Sequence, residues 1–88
     1  MDEKDFELIK NADFTNEDAI LEVIYNCKSG MYDGINEDDE MIIVSIENGV
    51  GIRITTFQHN GWTRVEDYDL AKDEFGQDYI IRSESYEK

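Results

Sequence analysis

The sequence predicts an α+β fold in a single domain, residues 1–88, with two N-terminal helices packed on a three- or four-stranded antiparallel β-meander. Three observations carry that expectation. Apolar residues recur at helical spacing as far as Cys27, β-branched residues dominate from Met41 onward, and Asn48-Gly49 and Asn60-Gly61 divide the second half as hairpin turns do.

The first helix is placed over Asp2 to Asn11, where Phe6 and Ile9 lie three apart and acids occupy the opening turn favoured by the helix dipole. A second helix is placed after Thr15, which with Asp18 three residues on approximates a capping box. Its apolar stripe is Ala19, Ile20, Val23, Ile24 and Cys27, and Gly30 is expected as its C-cap. Met31 to Glu40 reads as a solvated acidic loop. Strands follow at Met41 to Glu47, Val50 to Gln58 and Trp62 to Tyr68, with a fourth at Asp78 to Tyr86. The connection between the last two allows one helical turn over Asp69 to Phe75.

Two-residue turns at both Asn-Gly sites would pair Glu47 with Val50 and His59 with Trp62. That register gathers Met41, Ile43, Val50, Ile52, Ile54 and Val65 on the face the helices would cover. The other face then holds Ile42, Val44 and Ile46 with Arg53, Arg64, Glu66, Phe57, Trp62 and Tyr68, a mixed surface suited to partial cover or to contact.

Charge bounds the function. The 88 residues carry 22 acidic and 8 basic side chains, a formal net charge of −14. Such a chain is repelled by anionic lipid surfaces and by nucleic-acid phosphates, which argues against membrane partners and direct nucleic-acid binding. A basic protein is the partner this charge favours, because steering accelerates the encounter. The lone Cys27 and the lack of a basic-plus-apolar leader point to the cytosol, the host cytosol if the source is a phage.

No cofactor is expected. One cysteine and one histidine, Cys27 and His59, fall short of the four ligands of structural zinc. The acidic segments beginning at Asp33 and Asp67 place Asp38 and Lys72 where a calcium loop needs glycine, so metal ligands are not assigned. Cys27 lies on an apolar helix stripe and reads as a small buried hydrophobe, while His59 flanks a turn. No catalytic residue is assigned and the chain is read as a non-enzyme.

The candidate protein-binding residues come from two acidic groups and one aromatic. Residues 1–40 carry most of the charge, so the run Glu37, Asp38, Asp39 and Glu40 would meet a basic partner first. A second group, Glu66, Asp67, Asp69, Asp73 and Glu74, crowds the region after the third strand. Trp62, directly after Asn60-Gly61, suits an aromatic anchor.

The C-terminal segment from Asn60 onward carries a resemblance. Asn60-Gly61-Trp62, the acids after it, Glu74-Phe75, Asp78, and Ile81 with Ser83-Glu84 resemble the end of small acidic phage-encoded anti-CRISPR inhibitors of Cas9. The closing Tyr-Glu-Lys also resembles related small uncharacterised phage proteins. The resemblance implies that Glu66, Asp67, Asp69, Asp73 and Glu74 mimic DNA and block the arginine-lined pocket of Cas9 that reads the protospacer-adjacent motif. The family's acidic segment is followed by helix, whereas Tyr79 to Ser85 here reads as strand. Two other roles fit the same charge: an acidic immunity protein for a basic nuclease toxin, and a phage structural or assembly protein that forms a homo-oligomer. The oligomeric state stays open between them.

Overall fold

The computed structural model describes residues 3–88, without the side chains of Glu3 and Phe6. Among them the chain forms two helices, α1 (Glu3–Asn11) and α2 (Glu17–Asn26). Five strands follow: β1 (Gly30–Ile35), β2 (Met41–Glu47), β3 (Gly51–Phe57), β4 (Thr63–Lys72) and β5 (Asp78–Glu87). The class is α+β, as expected, and the sheet is an antiparallel meander in the order β1-β2-β3-β4-β5. It exceeds the expected three or four strands because β1 takes residues read as loop. Met31, Tyr32 and Ile35 alternate in β1 against Ser45, Val44 and Met41 of β2, and this pairing outweighs the poor strand propensity of Gly30 and Gly34. Asp2, the expected start of the first helix, and the side chain of Phe6 lie outside the described residues.

Helix α2 begins one residue later than the Thr15 cap implies. Thr15 is engaged elsewhere, its N–H and hydroxyl both donating to Asp13 Oδ1 at 2.9 and 2.6 Å. Asn16 caps instead, its Oδ1 accepting from Asp18 N at 3.0 Å, with Glu17 and Asp18 in the first turn. The C-terminus also departs from expectation. Helix α2 stops at Asn26, and Gly30 opens β1 opposite Ile46 rather than capping the helix.

The C-terminal carbonyls are met by a side chain from far along the chain. Asn48 Nδ2 donates to the carbonyls of Ile24, Tyr25 and Cys27 at 3.3, 3.2 and 2.7 Å, and Gly49 N donates to Ile24 O at 2.9 Å. The backbone N–H of Asn48 donates to Ser29 Oγ at 2.8 Å. The β2–β3 turn therefore closes the end of α2, supplying partners for orphan acceptors that a local glycine would otherwise serve.

Neither Asn-Gly site makes the two-residue turn. At the first, Val50 enters the loop, so Glu47 pairs with Gly51 and Gly49 takes φ 75°. At the second, Gly61 N donates to Gln58 O and Gln58 N to Trp62 O, with Gly61 at φ 89°, a three-residue hairpin with a left-handed last position. The β1–β2 turn, with Asp39 at φ 62°, and the β4–β5 turn, with Gly76 at φ 78°, repeat that design. In the latter, Asp73 Oδ1 accepts from Phe75 N and Gln77 N at 2.8 and 2.9 Å, so Asp69 to Phe75 forms strand and hairpin, not a helical turn.

One added residue per turn reverses the expected faces of β2 and β4, while Ile52 and Ile54 of β3 stay on the helix-facing side as expected. Ile46 pairs with Ile52, Val44 with Ile54 and Ile52 with Tyr68, and these side chains lie on the helix-facing side. The core comprises Ile20, Val23, Ile24 and Cys27 of the α2 end, Ile9 of α1, and Val44, Ile46, Ile52, Tyr68 and Ile80 of the sheet. Met41, Ile43 and Val65, expected beneath the helices, lie on the open face, as do Arg53 and Phe57. Gly51 is required at its position, because a Cβ there would sit 2.8 Å from Tyr68 O and 2.9 Å from Asp69 Oδ1.

Asn48→Ala is expected to destabilise the domain by about 1–3 kcal/mol, since it strands helix-end carbonyls beside the core. Asn60→Ala, which loses one exposed bond to Trp62 N at 3.0 Å, should cost at most about 1 kcal/mol. Urea unfolding of both variants checks the contrast between two dipeptides identical in sequence.

Candidate functional site

The hairpin architecture sends the candidate residues to separate places. The β1–β2 and β3–β4 turns share one end of the meander, and the β2–β3 and β4–β5 turns share the other. Glu37, Asp38, Asp39, Glu40 and Trp62 therefore gather at the first end, whereas Asp73 and Glu74 occupy the second, with Asp69 on the strand leading to it.

The first end is built rigidly. Asn36 Oδ1 accepts from Asp38 N and Glu40 N at 3.0 and 2.9 Å, fixing the acidic turn. Glu40 joins the two hairpins, accepting from Asn36 Nδ2 at Oε1 and from His59 N at Oε2, both at 3.2 Å. The Asn36 amide, then the His59 backbone and nearby cations, hold the Glu40 carboxyl below its ordinary value against some desolvation. His59 lies within the turn instead of opposite Trp62, its Nε2 donating to Asp38 O at 2.9 Å. This role is positional. Trp62 is partly exposed, with Lys88 Nζ 5.3 Å from its ring centroid. Glu37, Asp38 and Asp39 are exposed.

The second acidic group does not form one surface. Glu66 lies on the helix-facing side, where its Oε2 accepts from Tyr68 OH at 2.7 Å and its Oε1 lies 3.2 Å from Arg64 Nε. Asp67 lies on the open side and is held in a fork by Arg53, at 2.7 Å to Nε and 3.2 Å to Nη2. Asp69 shares that side and is exposed. Asp73 builds its turn, and Glu74 stands exposed beside it.

Other polar groups pin the helical layer. Tyr25 OH of α2 donates to Asp78 on β5, and Lys72 Nζ reaches the same carboxylate at 2.6 Å. Lys72, then Tyr25, holds the Asp78 carboxyl below its ordinary value of 3.8. Arg82 Nη1 donates to Phe14 O at 3.1 Å, and the Phe14 and Tyr68 rings lie 5.4 Å apart. Cys27 is buried, and burial pushes its thiol up to about 11, so thiolate chemistry is suppressed.

A cleft of about 510 Å³ remains beside the α1–α2 connection. Its floor includes Ile42, Ile54, Thr56 and Arg64. Among the described residues, no group of three His, Cys, Asp or Glu side chains is placed to hold a metal ion. Among them also, no helix is long and apolar enough to cross a membrane.

Sequence reasoning places Phe57 on the mixed face but misses its apolar neighbours Ile35 and Met41 on the open sheet face. Ile35, Met41 and Phe57 occupy paired positions on β1, β2 and β3, and all three are exposed. The two-residue-turn register puts Met41 on the covered side, and Ile35 falls within the expected acidic loop. The missing signal was turn length, because the added residue in each hairpin decides which parity faces the helices.

The depressed Glu40 and Asp78 carboxyls give acid sensitivity a defined sign. On acidification the unfolded chain takes up these protons first, so their stabilisation is fully present above the ordinary values of 4.5 for Glu40 and 3.8 for Asp78 and is lost as pH falls through the lower folded-state values. Thermal melts from pH 7 downward should show that loss, and Asp78→Asn should flatten it.

No known family model matches the chain, and no curated protein or solved structure is similar to it.

Proposed function

We propose that this protein is a non-enzymatic, stoichiometric inhibitor that occupies a basic nucleic-acid-binding groove by presenting carboxylates in place of phosphates. The observation that carries this reading is the placement of exposed acids at both ends of an elongated, negatively charged body. The principal-axis extents are 43 × 28 × 19 Å, and the net charge is −14. A duplex about 43 Å long would contain roughly a dozen base pairs at about 3.4 Å each. Glu37, Asp38 and Asp39 at one end and Asp69 and Glu74 at the other present negative charge along a comparable reach.

Rigidity supports the same reading. The acidic turn is fixed by Asn36, Glu40 and His59, and the opposite turn by Asp73. Carboxylates ordered before contact lose less conformational freedom when a partner binds. Glu66, Asp67 and Asp73 are assigned to support, since each already serves a partner within the fold. This differs from the mimic implied by the C-terminal resemblance, which grouped all five acids together.

That resemblance makes Cas9, or a related defence nuclease, the first target to assay, with the protein acting in the host cytosol if phage-encoded. The nuclease is the basic partner, and nucleic acid is displaced rather than bound.

Charge reversal at the two ends, Glu37→Lys with Asp38→Lys and separately Asp69→Lys with Glu74→Lys, should each weaken inhibition of Cas9 cleavage at least tenfold. Wild-type affinity should fall steeply between about 0.05 and 0.5 M salt as screening shortens the Debye length. Unchanged inhibition by both variants, or a flat salt dependence, would overturn the proposal.

A further inference from the structure

The helices cover one side of the meander. The other side is not an ordinary polar surface. Ile35 pairs with Met41 and Met41 with Phe57, which sets three large apolar side chains abreast across β1, β2 and β3. Their exposures are 67%, 58% and 42%. Behind them the next row runs from Ile43 through Thr55 to Val65, so the apolar surface continues along the sheet. Contiguous exposed apolar surface of this kind marks an interaction site, and methionine adapts its shape to different partners.

Charge around the patch selects the occupant. Asp33 borders it on β1 and Glu87 on β5, while the Glu37–Asp39 turn stands at the same end. Among the described residues, Arg53 is the base on this face, and Asp67 already engages it. A second copy would set these carboxylates against like charge and bring another −14 to the complex. An occupant with apolar side chains and flanking Lys or Arg satisfies both components of the surface.

We propose that this open face is the docking surface for a Lys/Arg-bearing amphipathic segment of a partner protein. Ile35, Met41 and Phe57 receive its apolar side, and Asp33, Glu87 and the Glu37–Asp39 turn receive its cations. The proposal rests on the reading that the partner is basic, and adds that the contact has an apolar centre, placed on the open face. Burial of that centre is not screened, so it supplies a salt-resistant component that carboxylates at the ends cannot.

The test uses two synthetic peptides of equal positive charge: a Lys/Leu amphipathic helix of about 14 residues and a Lys/Ser control of about the same length. Titration calorimetry is run with the full chain at about 0.05 and 0.5 M salt. The Lys/Leu peptide should bind at least tenfold more tightly, retain measurable affinity at high salt, and perturb amide signals of Ile35, Met41, Ile43 and Phe57 in the wild-type protein. Met41→Ser with Phe57→Ser should erase its advantage while the melting transition remains; the wild-type amide map supplies a readout that does not depend on that variant folding. Equal binding by both peptides, with shifts confined to the acidic turns, would overturn this docking surface and leave the charge-based reading standing. Binding by neither would overturn both. Sedimentation showing a salt-promoted homodimer, with these same amides shifted, would assign the face to a second copy and overturn the proposal.

Discussion

The arrangement depends on one side-chain amide. Asn48, at the turn between β2 and β3, donates toward three carbonyls at the end of α2 while its own backbone N–H reaches Ser29. Helix ends expose acceptors that must be met by water or protein. Here the sheet supplies the donor, so helix termination and sheet docking become a single event. The apolar stripe Ile20, Val23, Ile24 and Cys27 is brought against Val44, Ile46 and Ile52. The same clamp leaves Gly30 available to begin β1. The extra edge strand and the helix cap are consequences of the same contact.

The turns impose a second constraint. Three hairpins use the same three-residue design with a left-handed final position, filled by Asp39, Gly61 and Gly76. An aspartate in that conformation is less comfortable than glycine, and Asn36 offsets part of the strain by accepting two backbone N–H bonds in the turn. The acidic tip is consequently part of a rigid scaffold. Glu40 ties it to the neighbouring β3–β4 turn, so charge at this end is held in place by ordinary hairpin chemistry.

The strongly acidic composition is thus divided by function within the fold. Some carboxylates are spent on structure, as in the Asp67 fork with Arg53, the Glu66 contact with Tyr68 and the Asp78 link between α2 and the β4–β5 hairpin. The exposed remainder projects from the helices, the turns and the sheet. Repulsion among such groups opposes compaction, and the small core must offset it. Apolar surface left outside that core at Ile35, Met41 and Phe57 reduces what is available for folding. The proposed docking role would give this exposure a physical purpose.

By itself the sequence determined the α+β class, the helix stripe ending in Cys27, the positions of the two Asn-Gly hairpins among the four and the excess of acid. Those features follow from local periodicity, turn propensity and charge, which do not require distant contacts. Only the tertiary structure decided that Gly30–Ile35 is a strand, because its weak intrinsic preference is overcome by pairing with β2. It also decided which sheet face is buried. One added loop residue at each Asn-Gly hairpin, Val50 at the first, shifts the strand pairing, so β2 and β4 turn the parity opposite to the expected one toward the helices while β3 keeps its own. The acidic candidates were legible as residue types, but their separation into support, turn tips and open face was not. That assignment depends on cross-strand register and on partners such as Arg53 and Tyr68, set by three-dimensional pairing rather than by proximity along the chain.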